Sequence, residues 1–529
     1  MFNMLIKGGK IVDGSGQPEY IGDIGIKNGQ ITSMGNLEGA DAEQVIDAAG
    51  LVVTPGFIDI HTHSDASLFA DPRSESQIRQ GVTTEVIGQC GFSLAPCTDE
   101  SRKSGFGQFG VPGAGEWNTY GEMLQEMDDI KPATNVVGMV GHGALRSIAM
   151  GPQAPRPATE EEVAEMKKWL DQSLEEGAFG MTTGLEYHPG KMAVHDEITE
   201  LCRSVAKVDG LYSTHSRNRD KRYFTGFGEA LDVARDAGVR LQISHINPKY
   251  GRPEHAMRNT IQMIDWAQEE GLDVAMDVMV TKWAHTSAAA LLPAWSYALS
   301  RQELLELLKS PEGRERLKVN PLPTWQLPVL EKWDKVRLLD FQGGSPYIGQ
   351  TIADIAKDRN TSGWDAIFDL LLMSGETHSS VHLTSETFSE EDIRMVLEHP
   401  SCSVISDTMT LANDGILKGR QMGLMGYNWA AQFLGYYLRD EKVLSLEEGI
   451  RRLTSLPASQ IGLADRGRLA PGMSADVTIF DTGKIKENSS FTNPTIYADG
   501  FEYTIVNGVL AFSQGKRTPD HAGKVLRKN

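Results

Sequence analysis

The stretch "PGFIDIHTHSD", residues 55 to 65, sets His61 and His63 one residue apart at the end of an apolar run. Side chains at i and i+2 of a strand leave the same face about 6–7 Å apart, so the two imidazoles can meet at one ion. A pair of this kind is a weak signal by itself, because a histidine at a strand end commonly bonds a turn carbonyl. Here it has company: other strand-like runs end in Gln89-Cys90-Gly91, Thr214-His215, Ser244-His245 and Ser406-Asp407. A thiolate with imidazoles makes a good zinc environment. A carboxylate across from an activated water can take its proton and pass it to a leaving group, which gives Asp407 a catalytic role.

Those residues must be carried to one place, and the middle of the chain has the rhythm to do it. Buried-looking strands, polar turns and amphipathic helices recur about every thirty residues, as in βα repeats. Strands are expected near 57–61, 83–89, 135–141, 178–183, 211–215, 240–245, 272–278 and 402–407. Eight of them imply an α/β chain closed as a (β/α)8 TIM barrel, whose strand ends converge at one mouth. The long stretch between the last two strands, with an insertion at about 285–350 that includes "PLPTWQLPVLEKWDK", is expected to cover the site. Trp283, Trp325 and Trp333 are candidates for closing over an apolar substrate portion, with plain core packing as the alternative.

Both ends have a different texture. "MLIKGGKIVDG" and "DIGIKNGQITSMG" near the start, like "FEYTIVNGVLAFSQGK" near the end, alternate apolar residues with hairpin breaks. Small hairpin sheets cannot bury their own faces alone, so residues 1–56 and 465–529 are expected to pair as one β-sandwich, with the barrel over 57–464 between them. The basic "GKVLRKN" reads as a frayed tail.

Composition narrows the class. The 529 residues carry 51 Lys and Arg against 71 Asp and Glu, a net charge of −20, which argues against nucleic-acid or anionic-membrane partners. No apolar run reaches the roughly 18–20 residues of a membrane span. Four scattered cysteines suit a reducing cytoplasm, and Cys97, Cys202 and Cys402, away from the strand ends, are assigned to packing.

The motifs "PGFIDIHTHSD", "GVTTEVIGQCGFSLAP", "GHGALR", "TTGLEYHPG", "YSTHSRNRD", "LQISH", "LTSLPASQIGL" and "DRGRLAPGMSADVTIFD" resemble, in order and over nearly the whole chain, the amidohydrolase superfamily and within it the D-aminoacylases. The resemblance implies a metal-bearing barrel with a small β-sandwich, a tight zinc on Cys90, His215 and His245, and a weaker second position at His61 and His63 bridged by Cys90. It also makes Asp407 the catalytic aspartate. Strand 4, "AFGMTTGLEY", lacks the carboxylated lysine that bridges metals in many amidohydrolases, in keeping with a cysteine bridge.

The chain departs from D-aminoacylases where they carry an arginine for the substrate carboxylate: the aligned "GLMGYNWAAQ" places Met425 there. Arg217, Arg219, Lys249 and Lys282 are the alternative cations, and Tyr187 and His142 are candidate donors to a developing oxyanion. The expected activity is zinc-dependent hydrolysis of a small-molecule amide, most like N-acyl-D-amino-acid deacylation. Opening of a cyclic amide, imide or lactone is the second reading, and a catalytically silent scaffold is a distant third.

Overall fold

The computed structural model describes residues 1–103, 111, 115–151, 154–293, 295–296, 299–319, 325–341, 344–375 and 381–528. Eight parallel strands form the expected barrel: Phe57–Asp59, Val82–Ile87, a third strand in two pieces (Asn135–Gly138 and Val140–Gly141), Gly180–Gly184, Leu211–His215, Arg240–Ile243, Val274–Met279 and Cys402–Ile405. Closure between the eighth and first strands lies beyond their regular parts, where Thr62 bridges Thr408 in parallel and His63 N donates to Thr408 O at 2.8 Å.

Outer helices follow from local sequence. In Glu160–Glu175, Thr159 and Glu162 form a reciprocal capping box, and Met166, Leu170 and Leu174 place an apolar stripe every fourth residue against the barrel. Among the described residues, no helix is long and apolar enough to cross a membrane.

The break in the third strand changes the fate of the basic tail. Val140–Gly141 pairs with the fourth strand, but Asn135–Gly138 pairs instead with Val525–Leu526, Val525 opposite Val136. The tail is therefore not frayed: its alternating "KVL" supplies a strand where the third and fourth barrel strands part.

Residues near both ends of the sequence share one nine-stranded sheet, joined where Val52–Pro55 runs antiparallel to Val477–Phe480. Ile6, Ile24, Ile26, Val53, Val477, Ile479 and Ile505 fill its core.

Between the last two barrel strands lies a small antiparallel sheet of Trp283–Ser287, Val381–Glu386 and Val336–Phe341, with Val381–Glu386 in the middle. The inserted structure thus runs to Glu386, past the expected limit near 350; its closing strand follows the helix Gly363–Ser374. Strand alternation splits this sheet. Val381, Leu383, Val336 and Leu338 join Trp325, Trp333 and Trp364 in an apolar cluster, while His382 and Thr384, with His285 opposite Thr384, occupy the other face. Trp325 and Trp333 are therefore core, Trp333 standing edge-on to Trp364 at 5.3 Å. Trp283 is half-buried, edge-on to Phe491 at 4.6 Å.

Candidate metal centre

Six side chains from five strand ends meet at the barrel mouth. His61, His63, Cys90 and Asp407 form one buried group and Cys90, His215 and His245 a second, the potential ligand atoms of each group lying within 4.8 Å of one another. Cys90 belongs to both. Its Sγ lies 3.1 Å from His61 Nε2, 3.2 Å from His245 Nε2 and 3.6 Å from His215 Nδ1. Asp407 Oδ1 lies 3.2 Å from His63 Nε2 and 3.4 Å from His61 Nε2.

Backbone conformation aims three of these residues. Cys90, His245 and Asp407 have φ of 56°, 32° and 49°, the left-handed region that non-glycine residues avoid unless held there. Crowding around Cys90 does some of the holding. A Cβ on Gly88 would collide with Met139 O, and one on Gly91 would lie 2.6 Å from Gly184 N, so these glycines admit the backbones of neighbouring strands.

Carboxylates behind the rings fix their orientation. His215 Nε2 lies 2.8 Å from Glu186 Oε2, which turns Nδ1 toward Cys90. His245 is held through its backbone: its N donates to Asp277 Oδ1, whose other oxygen accepts from Gln242 at 2.8 Å. Burial pushes Asp277 up to about 7 against the hydrogen bonds from Gln242 and His245. Glu186 is raised by burial, but Lys249, His215 and Arg219 outweigh it and hold the carboxyl well below its usual range.

The donor set fits zinc. Burial pushes His61 down to about 3 and His215 to about 4, and holds His245 well below its usual value, so all three imidazoles are neutral at pH 7 and suited to bind a metal. A tetrahedral zinc with ordinary bond lengths keeps sulfur and nitrogen about 3.5 Å apart, within a few tenths of the spacings around Cys90. Burial raises the Cys90 thiol well above its usual value, a cost that only a nearby cation reverses.

The candidate substrate contacts divide differently. Tyr187 stands at the cluster, stacked on Phe92 at 5.3 Å and edge-on to His215 at 4.9 Å, with its hydroxyl donating to Cys90 O at 2.8 Å. His142 is buried on the neighbouring helix, where Nε2 lies 2.8 Å from Glu197 Oε1 in a cluster with Arg146. Arg217 is saturated by Glu229 and the carbonyls of Lys191 and Ala193. Lys249 is buried against Glu186, and Lys282 is half-exposed, 3.0 Å from Glu386. Met425 is buried in the core.

Sequence reasoning missed Glu186, Asp277 and His285. Glu186 adjoins Tyr187 just past the fourth strand, and Asp277 is an acid in the otherwise apolar "VAMDVM"; each was visible as a charge where burial was expected. His285 comes from the inserted sheet, and Asp407, His63 and Arg219 all act on it electrostatically. Nothing in "KWAHTS" announces that position.

The amidohydrolase family profile matches residues 44–308 and 417–512. A D-aminoacylase of Alcaligenes xylosoxydans xylosoxydans is 28% identical over 531 residues, covering 100% of this chain and 98% of its own length. An N-acyl-D-glutamate deacylase of the same organism is 31% identical, covering 100% and 97%. Among solved structures, N-acyl-D-glutamate deacylase from Bordetella bronchiseptica, complexed with zinc and a phosphonate mimic of the tetrahedral intermediate, superposes with a TM-score of 0.82 at 28% identity over 99% of each chain. The chain belongs to the amidohydrolase family, and within it to the D-aminoacylase group.

Proposed function

We propose that this protein is a zinc-dependent deacylase that hydrolyses the amide bond of N-acyl-D-amino acids in the cytoplasm. The observation that carries the reading is the convergence of Cys90, His215, His245, His61, His63 and Asp407 on one buried centre, in a chain aligned end to end with deacylases. Four buried free cysteines suit a reducing compartment.

Cys90, His215 and His245 would hold the tight zinc, and His61 and His63 a weaker second position that shares Cys90. When bound, zinc lowers the pKa of a coordinated water and polarises a carbonyl oxygen. Asp407 manages the proton. Burial raises its carboxyl, but the hydrogen bond with His63 and the neighbouring His61 and His285 outweigh that and keep it ionised. Its carboxylate accepts a proton from the attacking water and returns it to the departing nitrogen, leaving a carboxylic acid and an amine. Glu186 and Asp277 keep the rings in place, and Tyr187, its hydroxyl donating to Cys90 O, stacks on Phe92 beside the cluster.

Met425, buried where the group carries an arginine, favours the second reading: a cyclic amide, imide or lactone needs no carboxylate clamp. A panel of N-acetyl-D- and L-amino acids, uncharged amides and cyclic imides separates the two. Release of D-amino acids by zinc-loaded enzyme is expected, and turnover confined to cyclic compounds would overturn the deacylase assignment. Asp407→Asn should keep its zinc and lose on the order of 10²–10⁴-fold in kcat; wild-type turnover in that variant removes Asp407 from the mechanism.

A further inference from the structure

The deacylase reading leaves a substrate carboxylate to be met, and three of the four cations foreseen for it are otherwise engaged: Arg217 by Glu229 and two carbonyls, Lys249 by Glu186, Lys282 by Glu386. Arg219 is different. It lies between the fifth barrel strand and the helix Tyr223–Ala237, in a loop held where Lys249 N donates to Arg219 O at 2.7 Å. The residue is only 5% exposed. Its Nη1 donates to His245 O at 2.7 Å, which fixes the guanidinium beside the second ligand group. Nε is buried with no hydrogen-bond partner, 3.9 Å from the Glu186 carboxylate that Lys249 already occupies. Nη2 makes no hydrogen bond among the described residues, and the group lies 6.0 Å from the Phe388 ring.

We propose that Arg219 is the specificity-determining cation that binds the carboxylate of the substrate's amino-acid moiety, in place of the arginine this chain lacks at Met425. Three physical points support it. A buried guanidinium with one bonded nitrogen carries the cost of its unmade bonds until an acceptor arrives. A fork of this kind suits a carboxylate better than an ammonium does. Zinc at the cluster repels this cation, Glu186 offsets that while also serving Lys249 and His215, and a substrate carboxylate adds a second anion between them.

The proposal rests on the deacylase reading, and its test keeps the two apart. Wild type, Arg219→Gln and Arg219→Lys are loaded with zinc, their metal content is measured, and kcat/KM is determined for an N-acetyl-D-amino acid and for the amide of the same compound. The expected result is retained zinc and an acid-to-amide ratio lowered on the order of 10- to 100-fold in Arg219→Gln, mainly through KM, with partial recovery in Arg219→Lys. An equal loss on both compounds, or loss of zinc with the ratio unchanged, makes Arg219 a prop for His245 and overturns the proposal. If Arg219→Gln does not fold, Arg219→Lys carries the comparison: an unchanged ratio sinks the assignment and a lowered one supports it. A wild type that deacylates neither compound fails the deacylase reading and takes this proposal with it, whereas a working wild type with an unmoved ratio fails the proposal alone.

Discussion

Two buried charged networks, one between the end sheet and the barrel and one at the barrel mouth, are built on opposite terms. In the first, Arg466 Nη1 donates to Asp476 at 2.6 Å while its Nε and Nη2 reach Asp465 at 3.1 and 3.0 Å. Asp476 accepts also from Asn135 at 3.0 Å and from Asn507 N at 2.7 Å, and Asn507 Nδ2 closes the circuit on Asn135 at 2.7 Å. Among the described residues, none of these five side chains has a buried polar atom left over. In the second, Glu186 gathers His215, Lys249 and Arg219, yet Glu186 Oε1 and Arg219 Nε are buried without a hydrogen-bond partner among the described residues. Each unmade bond costs about 1–3 kcal/mol. The closed network belongs to stability, and the open one holds the guanidinium proposed above to receive the substrate carboxylate.

Breaking each network should separate these roles. The largest effect is expected from Asp476→Ala, which strips a buried guanidinium of its inward partner: about 3–5 kcal/mol of stability lost, seen as a lower Tm, with kcat/KM of the folded fraction unchanged. A variant as stable as wild type would deny that the closed network matters. Glu186→Ala should act on the metal, lowering zinc affinity roughly 10- to 100-fold in competition with a chromophoric chelator, because His215 loses the acceptor that orients it. Unaltered affinity would reduce Glu186 to a counter-charge for Lys249.

The smallest effect concerns a carboxyl outside both networks. Burial pushes Glu487 up to about 7 from an ordinary 4.5. The folded state therefore holds a proton that the unfolded state has released between those values, and stability falls as pH rises through that window. Glu487→Gln removes the penalty, worth at most about 3 kcal/mol above pH 7. Its Tm advantage over wild type should be small at pH 5.5 and larger at pH 8; an advantage independent of pH would mean Glu487 titrates normally.

The same contrast explains what could be read from the sequence. The barrel strands and the cluster of ligand-type side chains were legible because each is a local pattern: an apolar run ending in a ligand-type residue, repeated at βα intervals. His61, His63, Cys90, His215, His245 and Asp407 are all brought together as those strand ends imply. The partners of cations were not legible, since Glu229 for Arg217 and Glu186 for Lys249 depend on side-chain direction across separate loops. The extent of the insertion was obscured because its middle strand, Val381–Glu386, pairs with segments about 45 and 100 residues upstream. Trp325 and Trp333 could be read as lid or as core, because the apolar cluster that encloses them is assembled from distant segments.

The split third strand has a kinetic consequence. The edge of Asn135–Gly138 is covered by Val525–Leu526, so one seam of the wall waits for a segment almost four hundred positions downstream in the sequence. High contact order of this kind slows folding and leaves an unpaired edge open to other chains in the interval. Refolding yield should therefore depend on protein concentration, and crowding of Val525 should trap the barrel ajar at that seam.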